Sequence, residues 1–211
     1  MRSLSLCALT VATALSACSS EAPSADTPVE SQLAKASATT QFSIPEGVDA
    51  MTALKAAAEA DQALSPLIYA DPADTWEEVH PRVQSYIASL DSDERQIAEQ
   101  IAAPKVLTEY LIPGTPSPEK GEAALYYTEA LVSQGGASTP LVLDVIERFG
   151  QVWGSDQTQR LAAQAAAAGA DYLETASPAT PAGVSESQPN ARNQLALTRS
   201  AVERLQALAG E

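Results

Sequence analysis

The chain is poor in the residues that supply chemistry. Its 211 residues include one histidine, two cysteines, two tryptophans and two phenylalanines. His80 stands alone, so any zinc site would need carboxylates at every other position. A Ser-His-Asp or Cys-His mechanism would have to run through that single ring, and no G-x-S-x-G elbow accompanies it. Both cysteines, Cys7 and Cys18, fall in the first twenty residues. With Cys7 removed and Cys18 modified, as the N-terminus below implies, no thiol remains for a disulfide or for redox work, and stability must come from packing. Bases are scarce: 12 Lys and Arg face 27 Asp and Glu, a formal charge of −15. Such a field repels nucleic acid and anionic headgroups, which disfavours phosphate binding. No glycine loop cradles a phosphate either; Gly135-Gly136 lacks a following lysine and reads as a helix stop.

What is present begins at the N-terminus. Arg2 gives a positive start, Leu4 to Leu15 form an apolar run, and Leu15-Ser16-Ala17-Cys18 closes it with small residues. The run is too short to span a bilayer and fits a processed signal peptide, residues 1–17. Its ending resembles the lipobox of bacterial lipoproteins, in which a cysteine follows the cut. That resemblance covers only the signal and Cys18. It implies a thioether-linked diacylglycerol on Cys18, commonly with an N-acyl chain; two or three chains hold to a membrane where one binds only marginally. Ser19 follows, and in Gram-negative lipoproteins a residue there other than aspartate implies sorting to the outer membrane, facing the periplasm.

Residues 18–45 are rich in Ser, Ala, Thr and Pro and hold few large apolar side chains. Such text cannot bury enough surface to offset its ordering entropy, so a disordered tether is expected. As a flexible coil it would hold a domain on the order of 30 Å from its anchor. Helical text follows over 46–175. Asp91-Ser92-Asp93-Glu94 has capping-box spacing. Ser117-Pro118 and Thr139-Pro140 each place a hydroxyl before a proline at a helix start, and Ser155-Asp156 opens a further segment.

Apolar residues recur at three and four. Trp76, Val79, Val83, Tyr86, Ile87 and Leu90 form one stripe, in which Pro81 predicts a kink or break. Ile97 and Ile101, then Leu107, Tyr110 and Leu111, continue across Pro104. Ala123, Tyr126, Tyr127, Ala130 and Leu131 form a third stripe; Leu143, Ile146, Phe149, Val152 and Trp153 form a fourth. No period-two strand is present. The alanine run 165–168 reads by default as helix propensity, with a close-packing face as the alternative. Residues 176–189 are a Pro/Ser-rich linker. Asn190 then caps a final amphipathic helix, 190–209, with Ala191, Leu195, Thr198, Val202, Leu205 and Ala209 on a short seam expected to pack back on the bundle, with docking on a partner or on another copy as the alternative. The fold class expected is all-α, an irregular bundle of about six to eight helices. The pair over 118–134 and 140–153 forms a helix-turn-helix, but no period is sustained as a solenoid requires.

Functional motifs are thin. Glu77-x-x-His80 has di-iron spacing, but there is no second histidine, and a surface histidine beside a proline is the plain reading. Asp91-x-Asp93-Glu94 lacks the glycine turn and distal glutamate of a calcium loop. Glu30-Ser31 and Glu186-Ser187, the only Glu-Ser pairs, lie in linkers and not where a lytic transglycosylase carries its pair. No catalytic residue, cofactor or metal is assigned. Tyr126 and Tyr127 are neighbours whose directions diverge by about 100° on a helix, so one must approach the surface; they are the candidate partner contact. The reading expected is a lipid-anchored, non-catalytic interaction module with an envelope protein as partner. The alternatives are a carboxylate-dependent envelope hydrolase, with two acids of raised pKa in one concavity, and a small-ligand binder.

Overall fold

The computed structural model describes residues 44–176 and 189–210. The signal peptide, Cys18, nearly all of the tether and most of the linker lie outside the described residues. Seven α-helices and no strand make up the described residues, an all-α bundle. They are α1 (Ala50–Ile68), α2 (Trp76–Ala88), α3 (Ser92–Val106), α4 (Pro118–Ser133), α5 (Thr139–Trp153), α6 (Ser155–Ala176) and α7 (Pro189–Ala209). None of the described helices is long and apolar enough to cross a membrane.

Side chains at the helix starts explain where most of them begin. Asp49 accepts from the Met51 and Thr52 amides, and Asp91 from Asp93 and Glu94. Ser117 accepts from Lys120, and the Thr75–Glu78 capping box opens α2. Each takes up amides that the first turn leaves without partners. Thr139 is an exception to the expectation. A 3-10 turn, Gly136–Ser138, runs directly into α5, so the Thr139 hydroxyl lies inside the helix and donates to the Gly136 carbonyl at 2.7 Å. α7 likewise starts at Pro189, one residue before Asn190, because proline fits the first helical position.

The prolines interrupt less than their positions predict. α2 runs unbroken through Pro81. Glu77 and Pro81 both lie on the exposed face, where water can take up the carbonyl that the proline leaves open. α3 also passes Pro104, and the ladder then widens to a π-turn over Leu107–Leu111, closed by the Ile112 amide on the Leu107 carbonyl at 2.8 Å. Leu107 and Leu111 are both fully buried there. The hydroxyl of Tyr110, from the same turn, donates to the Ile68 carbonyl at the end of α1.

Packing mostly follows chain order, with skips that pair α1 with α3, α4 with α6 and α5 with α7. α3 packs on α1 and α4, α4 on α5, α5 on α6, and α6 most extensively on α7. α2 lies against α1 and α3. The core takes Val79, Val83 and Ile87 from α2, Ile97 and Ile101 from α3, Tyr127 and Leu131 from α4, and Phe149 from α5. Val152, placed on the α5 stripe by its spacing, is instead exposed, whereas Val142 and Val145 are buried. α5 is covered by α4, α6 and α7, so its buried face is wider than one stripe.

The alanine-rich stretch of α6 is a close-packing face, contrary to the default propensity reading. Leu161, Ala162, Ala165 and Ala166 are buried, and Gly169 follows on the same side. A methyl on Gly169 would come within 2.5 Å of Val202 on α7, and one on Gly136 within 2.3 Å of the Ala168 carbonyl. Those two glycines let three backbone segments approach where any larger side chain would collide. α7 thus sits on its own bundle through Thr198, Ala201, Val202 and Leu205, all buried, and through an Arg204–Glu147 ion pair to α5.

Candidate functional site

The single histidine and the tyrosine pair come together in one place. Residues 76, 80 and 84 recur at four, so Trp76, His80 and Gln84 share the face of α2 that turns toward α4. On α4, Glu119, Glu122, Ala123 and Tyr126 follow the matching spacing. α2 and α4 both pack on α3, and an open groove of about 460 Å³ lies between these side chains. The groove is open to solvent.

Of the groove's lining, His80 and Tyr126 belong to an aromatic cluster with buried Tyr127. His80 and Tyr127 have ring centroids 5.4 Å apart at 74°, and Tyr126 and Tyr127 5.0 Å apart at 77°. His80 and Tyr126 are 6.3 Å apart. These are edge-to-face contacts, the arrangement that ring quadrupoles favour. The adjacent tyrosines split as their directions require. Tyr127 is 0% exposed, with its hydroxyl 3.2 Å from His80 Nδ1. Tyr126 is half-buried and donates its hydroxyl to Glu99 Oε1 on α3 at 2.9 Å. Tyr127 therefore has no surface to offer a partner, which leaves Tyr126 as the candidate contact.

His80 is half-buried and tied to Tyr127, a closer engagement than a plain surface histidine. Sequence reasoning placed it beside a proline but had no signal for the tyrosine 47 positions away. Burial pushes its pKa below the ordinary 6.5, partly offset by the Glu122 charge. Burial likewise pushes both tyrosine hydroxyls up, with the Glu99 hydrogen bond adding to the shift at Tyr126. Glu77 is exposed, and its charge acts on Lys120 of α4. Among the described residues no group of three His, Cys, Asp or Glu could hold a metal.

Glu119, in the first turn of α4, is held below the usual range by backbone hydrogen bonding and by Ser117. Among the described residues, the Asp144 carboxyl on α5 is pushed up, first by partial shielding from solvent and then by Glu147. Asp144 does not line the groove. A second hollow, about 130 Å³, lies by Ala60, Tyr86 and Leu90 with Glu59 and Glu94 at its edge.

No protein-family model, curated protein or solved structure matches the chain.

Proposed function

We propose that the chain is a lipid-anchored helical module of the bacterial cell envelope that faces the periplasm from the outer membrane and binds another envelope protein without catalysis. The observation that carries this reading is Leu15-Ser16-Ala17-Cys18, which resembles a lipobox and precedes a Ser/Pro-rich stretch and an acidic helical domain. Cys18 is the site of lipid attachment in this reading, and the membrane is reached through it. The groove lined by Trp76, His80 and Tyr126 is the contact surface assigned to the partner. Aromatic side chains with polar tips give large contact area at small entropic cost. Among the described residues, Asp144 has a raised carboxyl and lies outside that groove, while Glu119 at the groove is held low, which favours binding over carboxylate-dependent hydrolysis.

A photo-crosslinking residue at Gln84, on the groove, compared with one at exposed Gln164 on α6, tests the reading in intact cells. The expected result is one reproducible envelope protein joined at Gln84 and not at Gln164, reduced by Tyr126→Ala and lost with Cys18→Ser. Equal adducts from both positions, or none from the groove, would contradict it.

A further inference from the structure

We propose that the His80–Tyr127 contact is an acid-released latch, holding α2 against α4 while His80 is neutral and letting α2 lift away when the ring gains a second proton. This inference goes beyond the binding role and stands whatever the partner.

Its basis is the hydrogen-bond inventory of one buried hydroxyl. Tyr127 is 0% exposed, and the partner of its hydroxyl among the described residues is His80 Nδ1 at 3.2 Å. A buried O–H needs an acceptor. The Tyr127 hydroxyl therefore donates to Nδ1, and the proton of the neutral ring sits on Nε2. A second proton can enter only at Nδ1. Both ring nitrogens then donate, and the tyrosine O–H loses its acceptor inside the core. The same step places a charge on a half-buried ring, which desolvation opposes.

The charged groups around His80 do not cancel this effect. From α4, Glu122 favours the proton, yet burial outweighs it; Glu119 lies at the groove on the same helix. From α3, Glu99 is engaged by the Tyr126 hydroxyl. On α2 itself Glu77 faces solvent, and Arg82 is paired with Asp74 at 2.5 Å. Lys120, one residue past Glu119, donates its ammonium to the Pro113 carbonyl.

The location gives the bond its leverage. α2 and α4 each pack on α3, and the ring contacts of His80 with Tyr126 and Tyr127 tie α2 to α4 across the groove. Pro81 adjoins His80 and leaves the Glu77 carbonyl without its intrahelical donor. The latch is thus at a point where α2 is already short of one ladder bond.

The single histidine makes the test direct. In the full chain labelled at histidine, the ring signal is followed from pH 8 to 5, together with amide-exchange protection across α2 and α6. The expected midpoint lies below 6.5. Protection in α2 should fall at least tenfold between pH 7.5 and 5 relative to α6. Tyr127→Phe, which has no hydroxyl to strand, should raise the midpoint toward 6.5. His80→Gln should give the same α2 protection at both pH values. A wild-type midpoint at or above 6.5, a midpoint unmoved by Tyr127→Phe, or α2 protection unchanged as the ring titrates would each overturn the proposal. So would an equal loss in His80→Gln. Should that variant fail to fold, the wild-type titration and Tyr127→Phe decide alone.

Discussion

Gly136 and Gly169 show how much of the packing rests on single positions. A Cβ at Gly136 would lie 2.3 Å from a backbone oxygen, which cannot rotate away. Gly136→Ala should therefore destabilise the domain by about 1–3 kcal/mol or more, read from urea unfolding. Wild-type stability there would mean that α6 does not approach the turn this closely. His80 adds a pH dependence of definite sign. Its folded pKa is below 6.5, so the unfolded chain binds the proton more readily. Stability is then complete above pH 6.5 and falls as pH drops through the lowered value. His80→Gln should remove this phase of the unfolding profile, leaving the loss at lower pH from carboxylates such as Asp49, Asp74 and Glu119, whose pKa values are also lowered. Helical geometry alone makes the Tyr126-Tyr127 pair diverge. Which of the two turns inward depends on α2 and α3, so the sequence could not say. Tyr127→Ala is accordingly a core deletion, expected to cost about 3–5 kcal/mol by analogy with other large aromatics.

Among elements, the starts of α3 and α4 were legible because a short polar side chain must take up the first amides. The apolar stripes of α2, α3 and α4 were legible for a similar reason, since one face of a helix on a bundle must be apolar. α5 was misread in part because it is covered on several sides, so Val142 and Val145 enter the core while Val152 does not. α6 was misread because alanine serves both propensity and close packing, and only its neighbour distinguishes them. α7 depends on that neighbour. Leu205 is fully buried, so Leu205→Ala should cost about 2–5 kcal/mol in unfolding free energy. A loss within 0.5 kcal/mol would place that helix off the bundle. The ion pairs Arg204–Glu147 and Arg160–Glu129 join different helices but are solvent-exposed, so each should contribute no more than about 1 kcal/mol.

For the whole molecule, sequence set the class and left the site open. All-α architecture followed from periodicity and the absence of alternation, and the described residues bear it out. The groove did not follow, because it depends on how far α2 and α4 stand apart on α3. No spacing along one chain encodes that separation. The envelope reading rests on residues 15–18 and the long acidic chain behind them. Its most direct test is the mass of the N-terminal peptide of the full-length protein, extracted with detergent from its own membranes. The expected mass is that of a chain beginning at Cys18 and carrying a diacylglycerol with or without a further acyl chain, with Cys18→Ser abolishing it. A mature chain that begins elsewhere, or a Cys18 without lipid, would contradict it.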